Sequence, residues 1–140
     1  MGSASVIRAK QVYDCMQSAA YNLVKPHFVA SSIYFTDVQQ DSTNVPSNYV
    51  IIKQFDTSLE PKSAGGNQRW QLATVIMELN YPKGKAEQAR DLATEIKHYF
   101  SGTSFSALDI VIDSITSNGY DTTSGVKQVV VIDFNYIVRV

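Results

Sequence analysis

The sequence is poor in the residues that most often carry nucleophilic or metal chemistry. Its 140 residues include one cysteine and two histidines. A single cysteine excludes an intrachain disulfide, so a reducing compartment is expected. His27 and His98 lie far apart and in no metal-ligand spacing. Cys15 has no basic neighbour closer than Arg8 and Lys10, so we expect a half-buried thiol rather than an activated nucleophile.

Charge and long apolar runs are also scarce. Charged residues make up 18% of the chain and the net charge is −1, whereas soluble domains carry about 25% charge. This composition argues against a protein that holds nucleic acid mainly by a basic surface. No apolar run approaches the roughly 18 residues of a membrane span, and residues 1–5 lack a signal-type stretch. We expect one soluble cytosolic domain over residues 1–140, without a membrane partner and with little self-repulsion.

No constellation of catalytic residues is visible. Gly65-Gly66 lacks the following Lys and Ser/Thr of a phosphate-binding loop. Asp109 and Asp113 would be about 13 Å apart on a strand face, too far for joint acid–base chemistry, and are interpreted as edge charges. The sequence therefore predicts a protein that is not an enzyme and uses no metal or cofactor. By elimination, an assembly or binding protein is the leading class.

Two segments have the three- and four-residue apolar spacing of amphipathic helices. The first runs from about Ser5, a plausible N-cap, to Val24, and ends before Pro26. The second runs from about Lys85 to Ser101, with Gly102 placed to close it.

Strand patterns fill most of the remaining chain. Trp70–Tyr81 is apolar on both faces in its middle, which predicts a central strand covered on each side by this chain or by another subunit. The other predicted strands are Ile33–Phe35, Tyr49–Phe55, Leu108–Ile115 and Val126–Val140, the last two forming a hairpin. This order predicts an α+β domain, a mainly antiparallel sheet with two helices packed on one face.

Three polar segments are predicted to connect these elements. Residues 37–48 are expected to form a loop. Residues 56–68 contain Pro61, Gly65 and Gly66, and they predict a long irregular loop, a kind that is often functional or mobile. Residues 117–125 have turn chemistry at both ends and are expected to connect the hairpin.

Three strings resemble the tail terminator proteins of long-tailed, non-contractile phages, the lambda-like minor tail protein family. The first is Trp70–Pro82, with a Trp-Gln opening, an alternating apolar strand and a closing proline before a helix. The second is Asp113–Asp121, similar to the family's strand that leads into a Gly-Tyr-Asp turn. The third is the final strand, Val129–Val140, with its alternating Tyr and Ile. Residues 8–48 and 56–68 show no matching string.

The resemblance implies a structural virion protein that forms a hexameric ring on the end of a completed tail tube. Such a ring stops tube polymerisation and joins the tail to the head. The implied partners are further copies of the chain, the tail tube protein and the head–tail connector protein. DNA only passes through the channel, and no cofactor is used. The implied location is the head–tail junction of the virion, after assembly in the host cytoplasm.

The contact residues for subunit, tube or connector are sought in the two polar connections between strands. The candidates are Glu60, Lys62, Gly65, Gly66, Gln68, Arg69, Asn118, Tyr120 and Asp121. Two other functions stay open at this point: a head-completion or neck protein of the virion, and a non-viral soluble α+β binding or enzyme domain. A deep pocket lined by convergent polar groups would favour the last of these.

Overall fold

The computed structural model describes residues 2–35, 48–66, 68–103, 105, 109–121 and 125–139. They form two α-helices and a five-stranded sheet, which confirms the predicted α+β class. In chain order the elements are helix α1 (Gly2–Val24), a 3-10 turn (Ala30–Ser32), strands β1 (Ile33–Tyr34), β2 (Tyr49–Gly65) and β3 (Gln68–Pro82), helix α2 (Ala86–Gly102), and strands β4 (Val111–Asp121) and β5 (Gly125–Arg139).

The sheet is built outward from β3. Its strand order is β1–β2–β3–β5–β4, with β1 parallel to β2 and the other three pairings antiparallel. β5 pairs with β3 along its whole length, from Gln68 to Pro82. The prediction of a central strand at Trp70–Tyr81 is therefore confirmed.

The core lies between this sheet and the two helices. Alternate residues of β3 are buried, as the period of a strand requires. Ile52 of β2 lies opposite Met77, and Ile132 of β5 lies opposite Val75, so the buried sides of three strands share one face. This face and the buried stripes of both helices belong to one apolar cluster. Both helices therefore pack on the same face of the sheet, as the sequence predicts.

The helices follow the predicted apolar stripes with small shifts at their ends. In α1 the most buried residues are Val12, Met16, Ala20 and Val24. The helix begins at Gly2, so the expectation that Ser5 caps it is wrong. Residues 2–4 include no proline, the residue that would interrupt the helix there. In α2 the stripe is Ala89, Leu92, Ala93, Ile96 and Phe100, and the Thr103 N–H donates to the Tyr99 carbonyl at its end.

The long loop predicted at 56–68 is wrong. Strand β2 continues to Gly65 and β3 starts at Gln68, so these residues form a ribbon with a short turn at Gly66, whose φ is +56°. The ribbon is irregular, with register shifts between Asp56 and Ser58 and again on each side of Ser63. Among the described strands, β1 pairs only with Val50 and Ile51, so the rest of β2 is an edge of the sheet. An edge strand tolerates a proline and such shifts, which explains how a loop-like composition pairs as a strand.

The connection predicted at 117–125 is also largely strand. The hairpin itself is confirmed, but β4 continues to Asp121 and β5 begins at Gly125, which leaves 122–124 outside the described residues. Gly125 lies opposite Pro82, and a Cβ added to it would collide with the Tyr81 carbonyl oxygen. Gly125 therefore allows the close approach of two backbones, in addition to any role in the turn. Residues 36–47, most of the loop predicted at 37–48, also lie outside the described residues.

A hydrogen bond spans the sheet where the β2–β3 ribbon leaves the core. The Tyr136 hydroxyl, on β5, donates to Asp56 Oδ1, on β2, at 2.9 Å. Burial raises the pKa of Tyr136, and the hydrogen bond to Asp56 and its negative charge raise it further. The neutral hydroxyl is thus the form that the fold stabilises.

Truncating a core leucine of β3 should destabilise the protein strongly. Leu79 is fully buried, so Leu79→Ala is expected to lower the free energy of unfolding by about 2–5 kcal/mol through lost packing and a cavity. Leu59→Ala is the matched control, because Leu59 is 48% exposed on the ribbon, and it should change stability by less than about 0.5 kcal/mol. Urea unfolding followed by circular dichroism measures both. Equal losses would contradict the assigned core.

Removing the Tyr136 hydroxyl should produce a pH-dependent loss. Tyr136→Phe is expected to cost about 1 kcal/mol near neutral pH, since one hydrogen bond to a partly solvated carboxylate is lost. The folded-state pKa is raised above the unfolded value of about 10. The hydroxyl's contribution is therefore fully present below about pH 10 and is lost as pH rises further. Urea unfolding at about pH 8 and about pH 11 should show the gap between wild type and variant narrowing. A gap that widens at high pH would contradict the assignment.

Candidate interaction surface

One face of the sheet carries no layer of its own chain among the described elements. We call it the open face. Three rows of residues, each running across β2, β3, β5 and β4, form its centre. They are Ile51–Glu78–Val129–Asn118, Lys53–Ile76–Val131–Thr116 and Phe55–Thr74–Asp133–Ser114.

The middle of the open face is apolar. Ile76 and Val131 lie side by side on the two inner strands, and both are half-buried although neither α1 nor α2 packs over them. Apolar side chains at the edges are more exposed: Phe55 of β2 by 46% and Tyr120 of β4 by 53%. The open face therefore has an apolar centre on its two inner strands and an exposed aromatic side chain on each of β2 and β4.

Three charged groups of the open face are paired with one another. Glu78 lies between two lysines, with its Oε2 atom 3.0 Å from Lys53 Nζ and its Oε1 atom 3.3 Å from Lys127 Nζ. Its side chain is only 16% exposed. The two ion pairs join β2, β3 and β5 on the open face.

A second polar network joins β3, β5 and β4. The Thr74 hydroxyl donates to Asp133 Oδ1 at 2.8 Å, and the Ser114 hydroxyl donates to Asp133 Oδ2 at 3.2 Å. Two residues further along β5, Asn135 Nδ2 donates to Asp113 Oδ2 of β4 at 2.9 Å. Because these groups already have partners, covering the open face would leave few of them unsatisfied.

The contact residues predicted from the sequence fall into two groups that the structure does not bring together. Glu60, Lys62 and Gly65 lie on the outer part of β2, Gly66 is in the turn, and Gln68 and Arg69 begin β3. Arg69 Nη1 donates to the Gln68 carbonyl at 2.9 Å, which keeps its side chain close to its own strand.

The second group lies at the other end of the sheet. Asn118, Tyr120 and Asp121 are in β4, opposite Val129, Lys127 and Val126 of β5. Along β3, the distance from Gln68 to Tyr81, which neighbours Val126, is about 40 Å at 3.3 Å per residue. The two polar groups are therefore at opposite ends of the sheet.

The sequence predicted that both faces of Trp70–Tyr81 would be covered, and two of its contact residues, Asn118 and Tyr120, lie on the open face. It did not identify the rest of that face as a site. The pattern of this face is visible in the sequence, because the two-residue period of a strand places Thr74, Ile76 and Glu78 on one side of Trp70–Tyr81. What the sequence does not contain is the register that places Lys53, Val131 and Asp133 beside them. Asp133 and Glu78 thus become centres of networks that are visible only in the folded sheet.

The residues considered for chemistry lie apart. Burial raises the pKa of the half-buried Cys15 thiol, which disfavours the reactive thiolate. Asp109 lies before β4 with a φ of +53°, so the expectation that it shares a strand face with Asp113 is wrong. Within the described ranges, no group of three or more His, Cys, Asp or Glu side chains is placed to hold a metal ion.

In comparisons with known proteins, no family model matches the sequence, and no curated protein matches it. No helix in the part of the chain that the structure describes is long and apolar enough to cross a bilayer.

Neutralising Glu78 should weaken the sheet in a salt-dependent way. Glu78→Gln removes both ion pairs and leaves two lysines near each other, so the free energy of unfolding is expected to fall by about 1 kcal/mol at low salt. In about 1 M salt, where the screening length is about 3 Å, the loss should shrink. Urea unfolding at the two salt concentrations tests this. If the variant is as stable as wild type at low salt, the two pairs do not support the sheet.

Proposed function

We propose that this protein is a tail terminator of a long-tailed phage, which assembles as a ring on the end of the tail tube. The observation that carries the proposal is the open face, a sheet surface with an apolar centre at Ile76 and Val131, in which Glu78 and Asp133 already have partners. Monomeric proteins seldom expose contiguous apolar patches larger than a few hundred Å² unless these bind a partner. A neighbouring subunit that packs on the open face buries its apolar centre.

A ring requires two different surfaces that fit each other. Head-to-tail contacts close into a ring when the rotation between copies closes, whereas a two-fold contact gives a dimer. In the proposed ring, the open face of one copy packs on a different surface of its neighbour. The net charge of −1 keeps repulsion between copies small.

The strings that carry the family resemblance lie side by side in the fold. Trp70–Pro82 is almost all of β3, Asp113–Asp121 is most of β4, and Val129–Val140 includes most of β5. These three strands are neighbours in the order β3–β5–β4. The likeness therefore concerns one continuous part of the sheet, the part that also carries most of the open face.

The two polar groups are placed as expected for a protein that joins the tail tube to the head connector. A terminator contacts the tube on one side and the head connector on the other. The group at Glu60–Arg69 and the group at Asn118–Asp121 lie at opposite ends of β3 and are suited to such separate contacts. The proposed partners are thus five further copies of the chain, the tube protein and the connector, with no cofactor.

Ile76→Asp tests the role of the open face. Because Ile76 is half-buried on that face and points away from the core, the variant should fold but fail to assemble. Light scattering of the purified proteins should report ring-sized particles for wild type and monomers for the variant. Electron microscopy of tail tubes mixed with each protein should show capped tubes of uniform length only for wild type.

The control is Ala86→Asp, which adds the same charge at the exposed first turn of α2, where the helix dipole favours it. This variant should assemble as wild type does. Normal capping by folded Ile76→Asp would overturn the role of the open face. Wild-type protein that is monomeric and also fails to cap tubes would overturn the terminator function, and binding at the portal side would identify a neck protein instead.

A further inference from the structure

A small cavity lies on the helix side of the sheet, between α1, β2 and β5. Its volume is about 240 Å³, below the ~300–1,000 Å³ of sites for drug-sized ligands, so it suits a compact group. Ala9 and Val12 of α1 line its helix wall, and Gln54, Asp56 and Tyr136 line its sheet wall. The cavity is on the opposite side of the sheet from the open face, and the proposed function does not use it.

Gln54 presents a buried hydrogen-bond acceptor without a partner. It lies opposite Val75 of β3, which is fully buried under the helices, so its side chain is on the helix side of the sheet. Its Oε1 atom is buried and accepts no hydrogen bond from any described residue. An unpaired buried acceptor costs free energy, and such groups are rare in folded proteins. Because the terminal torsion of a glutamine is broad, a small rotation presents this oxygen to a donor in the cavity.

The neighbouring polar groups of the cavity are also acceptors. Asp56 is about 7 Å from Gln54 along the strand, and it is on the same side of the sheet because it lies opposite the buried Ala73. The Tyr136 hydroxyl, on a side chain that is only 2% exposed, donates its proton to Asp56 Oδ1 at 2.9 Å. With that proton engaged, the Tyr136 oxygen can only accept, and the carboxylate accepts on both oxygens. The three groups therefore match a ligand with several N–H donors.

The charges around the cavity favour a cation. Among its described lining residues Lys10 is the only cation, and it is exposed on α1, where its long side chain can extend into solvent. An anion would place a further acceptor beside Gln54 Oε1 and the Asp56 carboxylate. A cation with N–H groups would instead satisfy both, and the wall of Ala9 and Val12 suits a short alkyl stem.

We propose that this cavity binds a guanidinium group, whose N–H groups donate to Gln54 Oε1 and to the Asp56 carboxylate, while Tyr136 holds that carboxylate in place. A guanidinium has five N–H donors in a planar fork, enough for acceptors on two sides, whereas an ammonium has three. The guanidinium can belong to a free small molecule or to an arginine side chain of another protein. The site is independent of the proposed terminator function.

The test is an NMR titration of the ¹⁵N-labelled protein with ethylguanidinium. It should give saturable shifts in the amides of residues 9–13 and 54–56. The control ligand is ethylurea, which has nearly the same shape without the charge, and it should bind about tenfold more weakly because the charge-assisted hydrogen bond to Asp56 is lost. Gln54→Leu should raise the Kd of ethylguanidinium about fivefold, as expected for one neutral hydrogen bond, and Asp56→Asn about tenfold.

Gln54→Leu has a second readout that a purely structural residue would not give. Because this variant lacks the buried acceptor without a partner, it should unfold at a higher urea concentration than wild type although it binds ethylguanidinium more weakly. A variant that unfolds at a lower urea concentration would mean that Gln54 Oε1 has a partner in the free protein, and would overturn the proposal.

Asp14→Asn is the matched control for Asp56→Asn, because Asp14 is exposed on α1 and does not line the cavity. Its Kd should equal that of wild type. Lys10→Gln removes a like charge at the cavity and should lower the Kd about twofold. A higher Kd in Lys10→Gln, equal binding of ethylurea, or an unchanged Kd in both Gln54→Leu and Asp56→Asn would each overturn the proposal.

A parallel titration with the peptide acetyl-Gly-Arg-Gly-amide identifies the source of the guanidinium. Tighter binding of the peptide than of ethylguanidinium indicates an arginine side chain of another protein. Weaker binding of the peptide indicates a free small molecule.

Discussion

The whole structure depends on β3 being apolar on both faces while the described chain supplies a layer for only one. Val75, Met77 and Leu79 are fully buried under the helices, and the core forms around them. The alternate residue Ile76 lies in the open face beside Val131. Since the strand period fixes which residues share a face, this second surface cannot be moved inward without exposing the first. The open face is therefore a direct consequence of the central strand's sequence.

The polar side chains of the open face also suit a surface that another subunit covers. Lys53 and Lys127 hold Glu78, and Thr74 and Ser114 hold Asp133, so each carboxylate is bound by side chains of neighbouring strands. Buried polar groups are tolerated when they have partners and are costly when they do not. A surface with its polar groups satisfied in advance can be covered by a neighbour at small cost. The same contacts fix the strands to one another before any assembly.

The sequence predicted the elements whose apolar residues recur with the period of a helix or a strand. It failed where the residue composition is typical of a loop but the backbone pairs as a strand. Both helices, the central position of Trp70–Tyr81 and the final hairpin follow from apolar spacing. Residues 56–68 were expected to be a loop because Pro61 and two glycines interrupt the pattern, yet backbone pairing along an edge tolerates them. Asn118 and Tyr120 were assigned to a turn for the same reason. The open face needed the register between β3 and β5, a relation that is not encoded locally.

The most direct test of the central claim is a class average, followed by a reconstruction, of the protein bound to the end of a tail tube. It reports symmetry, location and the surroundings of the open face together. The account predicts a ring at the tube end, with density from a neighbouring copy packed against Ile76 and Val131. A particle in which these two residues face solvent, or in which the protein is absent from the tube end, would contradict it.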